Sequence, residues 1–191
     1  MKPLLQLINT QVHLSEKDKR LIEQLAEYTF PAKGTLLSEI GQIPDTLFFV
    51  VNGFMRLYQY DEQGRELTNH LNCPPGFITA YADFIEERPA SQRLEAITNC
   101  KLIMISKKNF DQLLAQSAAM KDFSIWVYQQ SLAYNENRAR ELASLTATER
   151  YEKLLRTQPE ILANVPGQYV ASFLGIKPQS LSRIRKGLSE G

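Results

Sequence analysis

Residues 167–186 read G-Q-Y-V-A-S-F-L-G-I-K-P-Q-S-L-S-R-I-R-K, and their spacing predicts two short helices joined by a tight turn. Val170, Ala171 and Leu174 fall on one face of the first helix. Gly175 follows, where a turn of positive φ stops a helix at little steric cost. Ile176 plugs the corner. Pro178 suits the first turn of a second helix, where its missing N–H is not needed. Leu181 and Ile184 then point back to the core. A small residue at Ala171, with Gly and two apolar residues at offsets of 4, 10 and 13, describes a helix-turn-helix, with an αα corner as the plainer alternative. With Leu181 and Ile184 inside, Gln179, Ser180, Arg183 and Lys186 share the outer face. Gln and Arg can each make two hydrogen bonds to adenine and guanine edges in the major groove. Ser180 and Ser182 can serve bases or phosphates, and Lys177, Arg185 and Lys186 suit phosphates. No carboxylate follows Lys177 until Glu190, so double-stranded DNA is the partner this helix predicts.

Toward the N-terminus, Thr146-x-x-Glu149 is a capping box that starts a helix running through Leu155, with Pro159 as its end. Lys121 to Ser144 contains no Gly or Pro and predicts a helix of about 24 residues, roughly 36 Å long. Its first half is apolar on nearly every side, through Phe123, Ile125, Trp126, Val127, Tyr128 and Leu132. One face can lie on the rest of the chain, and the other needs a partner, most simply the same helix of a second subunit. The expected homodimer interface is Phe123, Trp126, Val127, Gln130 and Tyr134, and burial within one monomer is the alternative. From Asn135 to Glu141 the helix turns polar and the seam weakens.

Between Phe30 and Ser106 the texture is that of short strands: Thr46–Val51, Phe54–Tyr60, Glu66–Asn72, Arg93–Ala96 and Leu102–Ile105. Asn52-Gly53 reads as a tight hairpin turn, Asp61 to Gly64 as a second turn and Pro74-Pro75-Gly76 as a third. A small barrel, roll or sandwich follows. Ser15 with Asp18 caps a helix expected over 16–29, and Phe110, Leu113 and Leu114 suit a short helix. The fold class is α+β: an N-terminal β-roll with flanking helices over 1–120, a central dimerisation helix over 121–144 and a helix-turn-helix domain over 145–191.

Composition narrows the class. The 191 residues carry 22 Lys and Arg against 21 Asp and Glu, with 43% hydrophobic residues, which is ordinary globular usage. The balance is uneven: residues 1–137 hold 13 basic and 16 acidic side chains, and residues 138–191 hold 9 and 5. No apolar run can span a bilayer, and Met1 to Gln11 lacks a secretory h-region, so no membrane contact and a cytoplasmic location are expected. The 2 cysteines, Cys73 and Cys100, make neither a disulfide framework nor a four-cysteine cluster.

A β-roll, a long helix and a C-terminal helix-turn-helix in that order resemble the cyclic-AMP receptor/fumarate–nitrate regulator (Crp/Fnr) family of bacterial transcription regulators. The likeness is specific in L-A-S-L-T-A-T-E-R (142–150) and in G-I-K-P-Q-S-L-S-R-I-R-K (175–186). It implies a cyclic-nucleotide-binding-like jelly roll, a homodimer on a palindromic operator and RNA polymerase as a further partner. It places base-reading positions on Gln179, Ser180 and Arg183, with Pro178 replacing a frequent polar residue. Too few residues follow Lys186 for a strand pair, so the wing of the winged-helix pattern is expected to be reduced or absent.

The sensor positions depart from that pattern. Family members that bind cyclic nucleotides use a Gly-Glu pair and an Arg-Ser or Arg-Thr pair; aligned positions here carry Ala80-Tyr81 and Ala90-Ser91. The adenine-contacting pair falls on Asn135 and Glu136. A buried phosphate without its arginine is strongly disfavoured, so cyclic AMP is not the expected effector. Tyr81, Ala90, Ser91, Tyr134 and Asn135 are the candidate effector-pocket residues, and the effector itself is left open. With 2 cysteines the iron–sulfur branch is excluded, and a haem site would rest on His70 or Cys73 alone. No metal site or catalytic centre is expected, because His13 and His70 lie in different regions and no nucleophile or phosphate-loop motif occurs. Asp83, Glu86 and Glu87 read as a solvated acidic loop. The alternative function is a small-ligand-binding β-roll whose C-terminal helices contact protein instead of DNA.

Overall fold

In the computed structural model, which describes residues 1–189, two four-stranded antiparallel sheets face each other. The first has the order β1 (Glu27–Thr29), β8 (Lys101–Ser106), β3 (Thr46–Asn52) and β6 (Gly76–Ile78). The second runs β2 (Leu36–Ser38), β7 (Arg93–Ala96), β4 (Met55–Tyr60) and β5 (Glu66–Leu71). The apolar runs explain why β3 and β8 lie at the centre. Successive strand residues face opposite ways, so Phe48, Val50 and Leu102 meet Met55, Leu57 and Leu94 between the sheets. Leu47, Phe49, Ile103 and Ile105 face the other way, onto helices. A strand covered on both sides reads as a continuous apolar run.

The expected hairpin at Asn52-Gly53 is a sheet crossing instead. β3 pairs with β8 and β6, whereas β4 pairs with β7 and β5. The turn itself is present: Gly53 has φ 95°, and an added Cβ would stand 2.6 Å from Cys100 Sγ and 2.7 Å from the Asn99 carbonyl oxygen. Turn chemistry fixes a reversal, but which strand becomes the neighbour is decided by the apolar faces. A hairpin does form across Asp61–Gly64, joining β4 to β5.

Helices α1 (Lys2–Gln11), α2 (Glu16–Leu25), α4 (Lys107–Gln116) and α5 (Ala118–Ser144) cover the outer face of the first sheet; the short α3 (Tyr81–Glu86) follows β6. Ser15 and Asp18 make the capping box of α2. That helix stops at Leu25 rather than at residue 29, because Glu27–Thr29 extend and pair with Leu102–Met104 as an edge strand. Ser117 caps α5 by accepting from the Met120 N–H at 3.2 Å and donates to Asp18 at 2.5 Å, tying α5 to α2. Leu145 turns extended after α5, and the Thr146–Glu149 capping box starts α6 (Ala147–Thr157). Pro159 both follows α6 and opens α7 (Pro159–Asn164). Then come α8 (Gly167–Phe173) and α9 (Pro178–Ser189). The core of these last helices runs on into the β-roll, where Phe54, Leu71 and Ile97 join Leu154, Ile161, Val170 and Leu181. Among the described residues no strand follows α9, and no helix is long and apolar enough to cross a membrane.

Candidate nucleic-acid interface and ligand cavity

The corner between α8 and α9 forms as its residues dictate. Val170 and Ala171 are fully buried, and Leu174 and Leu181 nearly so. Gly175 takes φ 68°, its N–H donating to the Ser172 carbonyl and that of Ile176 to the Ala171 carbonyl, each at 3.0 Å. This satisfies the last carbonyls of α8 in the left-handed manner that favours glycine. Lys177, just before α9, and Gln179, Ser182, Arg183, Arg185 and Lys186 on it are exposed, and Ser180 is half-buried. The Arg185 guanidinium also lies 6.0 Å from the Tyr151 ring, which draws it toward α6. Glu190 lies outside the described residues. A helix with Leu181 anchored and a row of amide, hydroxyl and guanidinium donors outward can present those donors to base edges and phosphates.

Three contacts hold α8 in place, and none was legible from spacing. Ser172 meets the open edge of β5: its hydroxyl accepts from the Thr68 N–H and donates to the Glu66 carbonyl, both at 2.9 Å. Arg56, 1% exposed, pairs with Glu95 at 2.6 Å and Glu66 at 2.7 Å. Its guanidinium lies between the rings of Tyr58 at 3.8 Å and Tyr169 at 3.7 Å, so one buried cation joins β4, β5, β7 and α8. Burial disfavours that charge, but the hydrogen bonds it donates to Glu95 and Glu66 outweigh this and hold its pKa raised. Finally, Arg138 of α5 donates to the Phe173 carbonyl and Arg150 of α6 to the Leu174 carbonyl, placing two cations at the C-terminal end of α8.

Between β-roll and α5 lies a cavity of about 980 Å³. Tyr81, Ser91, Tyr134 and Asn135 line it, as the sequence suggested. Ala90 does not; it is buried, and its backbone bonds to Gly41 and Gln42. The ring of Tyr134 packs on His70 at 4.6 Å between centroids. Burial, with Arg138 nearby, lowers the His70 pKa to about 4, so this imidazole is neutral at physiological pH. Burial pushes the Tyr134 and Tyr81 hydroxyls up to about 12. Asp83 is not in a solvated loop: it is buried in α3, where Arg88 and Ser91 donate to it.

The outer face of α5 also differs from expectation. Phe123 is buried in the helix-on-sheet core, with Trp126 stacked on it at 5.6 Å, and Val127 packs against the same core. Tyr134 is turned onto His70, and of the expected interface residues Gln130 alone is exposed. The exposed apolar residues are Ile125 at 56%, Tyr128 at 54%, Leu132 at 52% and Leu142 at 45%. Their steps of three, four and ten residues keep the 3.5-residue period of a coiled-coil seam. The expected interface residues and these exposed ones thus lie on different faces of the same stretch of helix.

Two such sheets, closed by a long helix and followed by a two-helix corner, define a β-roll joined to a helix-turn-helix. Residues 30–117 match the cyclic nucleotide-binding domain. The cAMP-activated global transcriptional regulator CRP of Salmonella typhimurium is 26% identical over 173 residues, 85% of this chain and 82% of that protein. FixK2 from Bradyrhizobium japonicum superposes with a TM-score of 0.77 at 16% identity, covering 86% of this chain and 85% of that one. The c-di-GMP responsive global regulator CLP of Xanthomonas campestris gives 0.69 at 20% identity, over 92% of each chain. The chain therefore carries a cyclic nucleotide-binding domain and shares its fold with transcription regulators of the Crp/Fnr type.

Proposed function

We propose that the protein is a cytoplasmic, sequence-specific DNA-binding regulator, not an enzyme, acting as a homodimer on a palindromic operator. The observation that carries this reading is α9: Gln179 and Arg183 stand exposed on the helix whose opposite side is sealed by Leu181, 3% exposed. Gln179, Ser180 and Arg183 read bases, while Lys177, Ser182, Arg185 and Lys186 hold phosphates. Ile125, Tyr128, Leu132 and Leu142 form the seam between two α5 helices, in place of Phe123, Trp126, Val127 and Tyr134, which pack within the chain. Pairing along that seam sets two recognition helices about 34 Å apart, one turn of DNA. RNA polymerase is the further partner.

The cavity between the β-roll and α5 takes the effector, and cyclic AMP is not that effector, since Ala90 stands where the phosphate-binding arginine of nucleotide-binding relatives is expected. An effector acts by favouring one arrangement of the α5 pair over another. A gel shift with duplex DNA at several salt concentrations tests the reading. Binding is expected to weaken steeply as salt rises, through release of counterions. Salt-insensitive binding, or none, favours C-terminal helices that contact protein.

A further inference from the structure

Asp83, 6% exposed, lies on the wall of the cavity, and its carboxylate accepts three hydrogen bonds. They come from Arg88 Nε at 2.7 Å, the Ser91 N–H at 3.2 Å and the Ser91 hydroxyl at 3.3 Å. A guanidinium, a backbone amide and a hydroxyl converging on one point are a donor set suited to an anion. Asp83, Arg88 and Ser91 all line the cavity, and among the described residues Asp83 and Arg88 are its charged lining side chains. Arg88 is held further by Glu86 at 2.9 Å. The imidazole of His70, also on the cavity wall, adds no positive charge at neutral pH.

We infer that Asp83 occupies this anion seat from within the chain, so that the cavity rejects anionic ligands and takes an uncharged, hydrogen-bonding effector. An arriving phosphate or carboxylate would meet a like charge with its donors already engaged, and desolvating it there has no compensation. The rest of the wall fits an uncharged molecule: Asn69, Gln92 and Asn135 offer amides, and Phe77 and Trp126 offer apolar rings. Asp83 is thus a specificity-determining residue; the inference rests on the cavity being the effector site.

Isothermal titration of the full chain with cyclic AMP and, separately, inorganic phosphate, at fixed ionic strength, tests it. Asp83→Ala empties the seat and leaves three donors facing the cavity, so both probes are expected to bind about tenfold more tightly than to the wild type. Asp83→Asn keeps the shape and removes the charge, with an expected gain of about threefold for phosphate. Far-UV circular dichroism checks that each variant is folded. A wild type that binds either anion as tightly as Asp83→Ala overturns the inference, and so do folded variants without any gain. An Asp83→Asn chain that fails to fold makes the carboxylate a structural group of α3 and overturns it as well. None of these readouts involves DNA. Anion gain in a chain that shows no salt-dependent DNA binding would keep the role of Asp83 and remove the regulator reading.

Discussion

The helix-turn-helix and the β-roll cavity dispose of their polar groups in opposite ways. On α9 the donors stand outward from a helix whose apolar side is sealed. In the cavity, Asp83, Arg88 and Ser91 close on one another. The first arrangement offers groups to a partner; the second consumes them and leaves shape and neutral polarity to choose a ligand. Arg56 is one joint between the two regions, bonded within the β-roll and stacked on Tyr169 of α8 beside the Ser172 bonds and the shared core.

Breaking that joint is expected to have the largest effect. Arg56→Ala leaves Glu95, whose side chain is 14% exposed, without its cation, and should cost about 3–5 kcal/mol of stability in urea denaturation. A loss under about 1 kcal/mol would mean that the Ser172 bonds and the shared core hold the two regions together without Arg56. Next comes the two-sided helix α5. Leu132→Glu should give folded monomers by sedimentation, because Leu132 is 52% exposed and lies on the proposed seam. Trp126→Glu should instead lower the melting temperature, since Trp126 packs on the chain's own core. The opposite pattern would restore the interface of Phe123, Trp126, Val127, Gln130 and Tyr134.

The cavity side is open to titration through His70. Its folded pKa of about 4 lies below the ordinary 6.5, so the unfolded chain takes up a proton that the folded one refuses. Stability is therefore full above pH 6.5 and falls as pH drops toward 4, by at most about 3 kcal/mol. His70→Gln should flatten denaturation midpoints across that window; an unchanged slope would place the acid sensitivity on other groups. On the DNA side, Arg183→Ala should cost about 1–3 kcal/mol and relax base preference at one position of each half-site. Equal loss on every sequence would assign Arg183 to phosphate. The smallest change is expected for Lys186→Ala, a uniform weakening that lowers the salt slope by about one.

What was legible in the sequence follows the same division. Periodic patterns with local chemistry read correctly: the turn at Gly175, the capping boxes at Ser15 and Thr146, and the five longer strands. The strands β1, β2 and β6, of three residues each, went unseen because their pairing comes from neighbours rather than from their own alternation. Helix α1 was missed although Leu4 and Ile8 supply a one-turn repeat on a buried face. In the cavity, proximity in sequence suggested that Asp83 belonged with Glu86 and Glu87 in solvent. Only the tertiary placement of Ser91 and Arg88 shows that its carboxylate turns inward. Arg56 left a weak trace, a lone cation within the apolar strand Met55–Tyr60, where burial is expected only with a partner.

The most direct measurement is selection of bound duplexes from a random pool by the full chain. Enrichment of an inverted repeat, with half-sites one helical turn apart and with base preference lost at one position of each half in Arg183→Ala, is the expected result. Recovery of unenriched sequence would contradict a base-reading α9.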